Sequence, residues 1–170
     1  MQTETGTAES KPALTLHPVT DADLPFIREL YASTRNEEMA TVPWTDEQRA
    51  AFVDMQFQAQ LNHYREYYPG ATHDLVLVSG RPVGRLYVDR QEREIEILDL
   101  TISARERNAG IGSLLLSRIL DEAAKTGKTV GIFVENFNPS TRLFERLGFR
   151  ETDQEGFHQH LQWFPPESAA

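Results

Sequence analysis

The sequence contains no cysteine among its 170 residues. This absence excludes disulfide bonds, thiolate zinc sites and a cysteine nucleophile together. A chain of this length fits one domain and can bury enough apolar surface to fold without a disulfide or a structural metal. Proteins without disulfides are typical of reducing compartments, so we expect a cytoplasmic protein.

The sequence also lacks long apolar runs and an excess of positive charge. No apolar run approaches the roughly 18 residues that a membrane span needs. The polar segment Met1–Lys11 has neither the basic start nor the apolar centre of a secretory signal. The 17 basic and 26 acidic residues give a net charge of −9, which disfavours nucleic-acid binding because phosphate contacts need a basic surface. We therefore expect neither a membrane nor a nucleic acid as a partner.

The hydrophobic pattern predicts a single domain over residues 13–164, with mobile tails at 1–12 and 165–170. Capping patterns at Thr20 and Thr45 predict two early helices. The second carries Phe52, Met55 and Ala59 at helical spacing and ends before Pro69. We predict further helices at about 110–126 and 140–147, and strands at 14–17, 74–78, 83–90, 94–102, 129–135, 149–153 and 157–164.

The strand at 94–102 changes the phase of its apolar alternation. Apolar residues stand at Ile95 and Ile97 and then at Leu98 and Leu100. A regular strand cannot change phase, so a β-bulge between residues 97 and 98 is the simplest account. A strand buried on both faces around Ile97 and Leu98 is the alternative.

A glycine-containing loop follows this strand. It has the sequence Arg-Asn-Ala-Gly-Ile-Gly-Ser at 107–113 and opens a predicted helix. The first turn of a helix has free N–H groups and a positive potential, and glycines let its backbone approach a diphosphate. Leu115 stands where a dinucleotide-binding fingerprint needs its third glycine, and no lysine follows Gly112 as a P-loop requires. The glycines taken alone also fit an ordinary helix start.

Two motifs together resemble the GNAT superfamily of N-acetyltransferases. The first is Arg-x-x-Gly-x-Gly at 107–112, and the second is Asn-Pro-Ser-Thr-Arg-Leu-Phe-Glu-Arg-Leu-Gly-Phe at 138–149. The resemblance extends over nearly all of residues 14–164. It implies an α+β fold with a mixed, mostly antiparallel central sheet, in which the bulged strand is splayed from its parallel neighbour and helices cover both faces.

The resemblance also implies which residues bind the co-substrate acetyl-CoA. The loop would bind the coenzyme pyrophosphate, and the strand segment 100–102 would pair its main chain with the pantetheine arm. Asn138 matches a family position that contacts this arm, although asparagine is also a common helix N-cap. The expected coenzyme contacts are Leu100, Thr101, Ile102, Arg107, Asn108, Ala109, Gly110, Ile111, Gly112, Ser113, Asn138 and Phe144.

The chemistry of amine acetylation requires a base and a polarised thioester. Glu96 matches the glutamate that is the base in some family members and is our first catalytic candidate. Asp99, on the same side of the strand beyond the bulge, is the second. A solvated polar strand face is the alternative interpretation for Glu96, because it alternates with isoleucines. A backbone N–H near Leu100 would polarise the carbonyl.

One position departs from the family pattern. Phe144 occupies the place where many relatives have a tyrosine proposed to protonate the leaving thiolate. Phenylalanine cannot donate a proton. Tyr31, Tyr64, Tyr87 or water would have to serve, or the thiolate leaves unprotonated.

We therefore predict an N-acetyltransferase that transfers acetyl from acetyl-CoA directly to an amine in a ternary complex. We expect the acceptor to be a small molecule or a peptide. Because homodimers are common in the family that the sequence resembles, a homodimer is also an expectation for this protein. A non-catalytic acyl-CoA-binding regulatory domain is the alternative, and a dinucleotide-binding module is a weaker one. His158 and His160 lack a third ligand, so we expect no metal.

Overall fold

The computed structural model describes residues 13–107, 109–135 and 140–167. The four helices described are α1 (Leu24–Ala40), α2 (Asp46–Tyr67), α3 (Ile111–Thr126) and α4 (Thr141–Arg146). The strands are β1 (Leu14–Pro18), β2 (Thr72–Val78), β3 (Arg81–Arg90), β4 (Glu94–Ile102), β5 (Thr129–Glu135), β6 (Arg150–Glu155) and β7 (His158–Trp163). The predicted N-terminal tail at 1–12 lies outside the described residues, and so do residues 168–170 of the predicted C-terminal tail.

Thr45 caps α2 as predicted, whereas the predicted cap Thr20 begins a short 3₁₀ turn ahead of α1. At the start of α2, Gln48 N donates to Thr45 Oγ1 at 3.1 Å, and Thr45 N donates to the Gln48 side-chain carbonyl at 2.9 Å. This reciprocal pair satisfies two backbone donors that the first turn leaves free. At the other start, Thr20 N donates to the Asp23 carboxylate at 2.9 Å across a short 3₁₀ turn that leads into α1.

A seven-stranded sheet runs through the centre in the order β1-β2-β3-β4-β5-β7-β6. Every neighbouring pair is antiparallel except β4 and β5, which are parallel and are joined through α3. A parallel pair needs such a crossover, because a short turn cannot return the chain to the same end. The predicted mixed, mostly antiparallel sheet is therefore confirmed.

Helices cover both faces of the sheet, as predicted. The α3 face carries the larger apolar cluster, and four apolar residues of α3, spaced four apart, are all buried: Ile111, Leu115, Ile119 and Ala123. On the other face, α1 and α2 pack over a smaller cluster. Successive residues of β2 point to opposite faces, so Val76 joins the larger cluster and Leu75 the smaller one.

The apolar residues whose spacing predicted α2 do not form its buried face. Met55 is 61% exposed, Ala59 is exposed, and Phe52 lies half-buried beside the Trp44 ring at 5.1 Å. The buried residues are Val53, Phe57 and Leu61. Both stripes have helical spacing, so the sequence pattern alone could not choose between them.

No helix in the described ranges is long and apolar enough to cross a membrane. Among the same residues, no three histidine, aspartate or glutamate side chains come together as a metal-binding group.

Candidate active site

The bulge predicted in β4 is present at Leu98. Tyr87 of β3 pairs with Asp99, and the next β3 residue, Val88, pairs with Ile97. Leu98 is therefore the extra residue, without a register partner on β3. An extra residue bends the strand and interrupts its hydrogen bonds.

The parallel strands β4 and β5 separate at the same point. They are paired only from Glu94 with Thr129 to Ile97 with Ile132. Residues 98–102 of β4 and 133–135 of β5 are not paired with each other. Main-chain N–H and C=O groups on these facing edges can therefore form hydrogen bonds with an extended ligand that enters between the strands.

The predicted phosphate-binding loop leads into the N-terminus of α3. Gly110, the N-cap, has φ 78°, a left-handed conformation that favours glycine. The first bond of the helix runs from Leu114 N to Gly110 O at 3.0 Å, so the N–H groups of residues 111–113 have no partner within the helix. Arg107 is exposed at the loop, and its Nε donates to the Ile102 carbonyl at 3.4 Å. Asn108 and Asn138 lie outside the described residues.

A cleft of about 170 Å³ lies where β4 and β5 separate. The end of α2 forms one wall, and the bulged part of β4 and the exposed β5 residue Phe133 form the others. Its lining residues are His63, Tyr64, Tyr68, Glu96, Ile97, Leu98 and Phe133. The first catalytic candidate, Glu96, therefore lies in this cleft.

Glu96 is half-buried and carries a perturbed carboxyl group. Burial raises the pKa of Glu96, and the neighbouring charges of Glu94 and Asp89 raise it further. The Gln91 amide, which donates to Glu96 at 3.2 Å, acts in the opposite direction. A carboxylate with a raised pKa is a stronger base than one in water, so it can take a proton from an amine.

Asp99 has different surroundings. Its Oδ2 accepts from Arg85 Nη1 at 3.1 Å, and its Oδ1 accepts from the Thr101 hydroxyl at 2.6 Å. Arg85 is only 1% exposed and also donates to the Gln60 side-chain carbonyl and to His73 Nε2, each at 2.9 Å. Both oxygens of Asp99 are thus engaged in a buried network.

His73 is a member of this network that the sequence analysis missed. Burial lowers the pKa of His73 to about 3, and the Arg85 charge acts in the same direction. The ring is stacked on Tyr87 with centroids 4.2 Å apart. Because Nε2 accepts the Arg85 hydrogen bond, the neutral ring carries its proton on Nδ1. Nothing in the sequence around residue 73 indicated a buried histidine.

The tyrosines proposed as proton donors lie in different places. Tyr31 is buried beside Phe57, and Tyr87 is buried against His73. Tyr64 does line the cleft, where its hydroxyl donates to the Leu98 carbonyl at 2.9 Å. Tyr68 lines the cleft as well and was not among the predicted donors.

Phe144 packs in the core next to the cleft strands. It is 4% exposed and meets Phe149 edge to face, with ring centroids 5.4 Å apart. Its side chain belongs to the larger apolar cluster together with residues of α3 and β5.

The comparisons with known proteins identify the family. A family model described as an acetyltransferase (GNAT) domain matches residues 40–168. The chain belongs to the GNAT acetyltransferase family. The resemblance inferred from the two motifs is therefore confirmed. No curated protein matches this GNAT chain significantly.

Solved structures share the GNAT fold at low sequence identity. PaiA N-acetyltransferase from Thermoplasma acidophilum, in complex with coenzyme A, is 14% identical, with a TM-score of 0.68 over 89% of this chain and 99% of that one. The yncA protein of Salmonella typhimurium, with its cofactor acetyl-CoA, is 23% identical, with a TM-score of 0.56 over 93% and 97%. Arabidopsis thaliana Naa50, in complex with the bisubstrate analogue CoA-Ac-MVNAL, is 20% identical, with a TM-score of 0.58 over 88% and 97%.

Proposed function

We propose that this protein is an acetyl-CoA-dependent N-acetyltransferase that transfers the acetyl group directly to an amine bound in the cleft. The observation that carries the proposal is the position of Glu96, a half-buried carboxyl group in a cleft that begins where β4 and β5 separate. An amine held there meets a proton acceptor beside the unpaired strand edges.

The residues of this chain fit acetyl-CoA as the acetyl donor. The main chain of Leu100–Ile102 would pair with the pantetheine arm, and the N–H groups of residues 111–113, which have no partner within α3, would bind the pyrophosphate. A Cβ on Gly112 would meet only Leu143 Cδ2, at 3.8 Å. Packing within the chain does not require glycine at 112, whereas close approach of a phosphate does. The PaiA and yncA complexes support the same donor.

In the proposed reaction, the amine nitrogen attacks the thioester carbonyl carbon. The N–C bond forms, the C–S bond breaks, and the amine proton passes to Glu96, directly or through a water. A backbone N–H near Leu100 stabilises the charge on the carbonyl oxygen. Because both Asp99 oxygens already accept hydrogen bonds, we assign Asp99 a role in holding β4 and Glu96 the role of base.

We assign Tyr68 as the proton donor to the leaving thiolate. The Tyr64 hydroxyl proton is already given to the Leu98 carbonyl, while the Tyr68 hydroxyl forms no hydrogen bond with another described residue. Burial raises the pKa of Tyr68, and the charge of Glu96 raises it further, so the phenol keeps its proton until thiolate forms.

The second candidate is a non-catalytic acyl-CoA-binding regulatory domain. The observation in its favour is Phe144, a residue without a proton to donate at the usual tyrosine position. Such a domain would bind acetyl-CoA without releasing thiol in the presence of any amine, whereas the enzyme would release it with at least one.

Thermal unfolding with acetyl-CoA, CoA and NAD tests the proposal. A ligand at a hundredfold excess over its Kd stabilises the folded state by about 2.7 kcal/mol, which raises Tm by about 5–10 °C for a chain of this size. We expect this rise with both CoA ligands and not with NAD. An amine screen with detection of free thiol would then separate enzyme from regulatory domain. No shift with any ligand would refute the proposal.

Gly112→Glu provides the matched variant in this experiment. A glutamate there should abolish the shift by its bulk and by repulsion of the diphosphate, although an acidic residue near a helix N-terminus does not harm the helix itself. Ala124→Glu, at an exposed position near the other end of α3, is the control and should keep the full shift.

A further inference from the structure

The bulge in β4 leaves a peptide group that needs a partner. Leu98 has no register partner on β3, and the pairing of β4 with β5 ends one residue earlier. A buried carbonyl without a hydrogen bond destabilises the fold. The partner comes from a distant part of the chain, since Tyr64 of α2 donates its hydroxyl to the Leu98 carbonyl at 2.9 Å.

Helix α2 also fixes the next residue of β4. Gln60 lies one turn before Tyr64, so the two side chains share a helix face. Its side-chain carbonyl accepts from Arg85 Nη1, and the same Nη1 donates to Asp99. One face of α2 therefore holds two successive residues of β4, Leu98 directly and Asp99 through Arg85.

The environment of Tyr64 keeps this contact in place. Its ring packs edge to face on Tyr87, with centroids 4.9 Å apart. Burial raises the pKa of Tyr64, and the charge of Asp99 raises it further, so the phenol keeps its proton and remains a donor at neutral pH. The ring thus has a fixed position and its proton a fixed acceptor.

We propose that Tyr64 is a positioning residue, whose hydroxyl fixes the Leu98 peptide and so sets the orientation of the β4 main chain that receives the thioester. This inference rests on the proposed function. In a strand with an extra residue, several orientations of the bulged peptide are accessible. The Tyr64 hydrogen bond selects one of them before any ligand binds. A binding site fixed in advance loses less conformational entropy when it forms its contacts.

Amide hydrogen exchange of the full chain tests the contact itself. Tyr64→Phe keeps the ring and removes only the hydroxyl, and Tyr67→Phe, at a tyrosine that is 64% exposed on the same helix, is the control. We expect exchange in the peptide covering 97–102 to rise at least about fivefold in Tyr64→Phe only. Residues 115–123 of α3 are the internal reference, because a general loss of stability would speed both segments. Equal exchange in Tyr64→Phe and the wild type would overturn the proposal.

The carbonyl stretch of bound acetyl-CoA, labelled with ¹³C in the acetyl group, tests the consequence for the thioester. Hydrogen bonding to the carbonyl oxygen shifts this infrared band to lower wavenumber. We expect Tyr64→Phe to lose at least about half of the wild-type shift, with its affinity for CoA unchanged and with Tyr67→Phe like the wild type. An unchanged band in Tyr64→Phe would show that Tyr64 only supports the fold. If wild type binds no acetyl-CoA, the proposed function fails, and hydrogen exchange alone decides whether Tyr64 fixes the bulge.

Discussion

Glu96 and Asp99 are three residues apart on one strand, and their different surroundings separate their roles. Asp99 is paired with a buried arginine and a hydroxyl. Glu96 faces the cleft with two other carboxylates nearby and no salt bridge to a described residue. Because of the extra residue between them, both side chains lie on the face that α2 covers, where Asp99 reaches Arg85 and Glu96 lines the cleft.

Replacing Glu96 by glutamine should separate activity from stability. In the wild type, activity should rise with pH as Glu96 loses its proton, and Glu96→Gln should lower kcat/KM by about 10²-fold and remove this rise. A carboxyl with a raised folded-state pKa destabilises the fold once both states are ionised. The variant should therefore have a higher Tm than the wild type at pH 7.5, and this difference should shrink as the pH is lowered toward 4.

The matched variant is Glu94→Gln. Its charge contributes to the raised pKa of Glu96, so its removal should move the rise of activity to lower pH without abolishing it. An unaltered pH–rate profile in Glu96→Gln would exclude Glu96 as the base.

The buried histidine predicts an acid-dependent loss of stability. The folded chain does not protonate His73 until the pH is near 3, whereas the unfolded chain binds this proton below about 6.5. The free energy of unfolding should therefore decrease as the pH is lowered through this window. His73→Gln should cost about 1 kcal/mol at pH 7.5, through loss of the Tyr87 stack, and this difference should shrink or reverse by pH 4.5.

Urea unfolding of the two proteins at several pH values measures this effect. His158→Gln, at an exposed position on β7, is the control and should follow the wild type. A constant difference between His73→Gln and wild type from pH 7.5 to 4.5 would contradict the assignment of a neutral histidine.

At the scale of elements, glycine at 84 sets how closely β3 and β4 approach. A Cβ at this position would lie 2.5 Å from the Thr101 carbonyl oxygen and 2.7 Å from Ile102 Cδ1. The backbone would have to move, so Gly84→Ala should cost about 1–3 kcal/mol of stability. It should also weaken acetyl-CoA binding, because the displaced segment is the one that we assign to the pantetheine arm. Denaturant unfolding and calorimetry measure the two effects.

Gly70→Ala is the matched control for this substitution. A Cβ at residue 70 meets no atom within 4 Å, so the change should leave stability nearly the same or slightly higher. If the two variants behave alike, the close approach of β3 and β4 at residue 84 has no energetic importance.

Most elements could be predicted from the sequence, and the bulge is the clearest case. The phase change after Ile97 located it to the residue, because side-chain alternation in a strand is strictly periodic. The buried face of α2 could not be predicted, since Phe52 and Val53 begin two stripes of similar spacing. Only the position of α2 over the sheet decides between them.

In the candidate site, too, some features could be predicted from the sequence and others could not. The sequence placed Glu96 on the strand face opposite Ile95 and Ile97, and periodicity suffices for that. It gave no signal for the Tyr64–Leu98 hydrogen bond, which joins residues 34 positions apart. It gave none for His73 or Arg85 either, because their burial depends on how α2 crosses β2 and β3.

At the scale of the whole molecule, one sheet separates two apolar clusters and takes part in both. Leu75 and Val76, adjacent on β2, belong to different clusters. We therefore expect the clusters to unfold together. Leu116→Ala, in the larger cluster, and Leu61→Ala, in the smaller one, should each cost about 2–5 kcal/mol. In both variants, circular dichroism and tryptophan fluorescence should give one shared midpoint. Separate transitions in either variant would show that the two faces are independent.

The separation of β4 from β5 also has a practical consequence in a chain that has no cysteine of its own. Two cysteines introduced on the opposing edges, for example at Thr101 and Glu135, would be the only thiols in the protein. Spin labels on such a pair would report the distance between the two strands across the gap. The mean and the spread of that distance, with and without ligand, would show whether the two strands keep a fixed separation or move when a ligand binds.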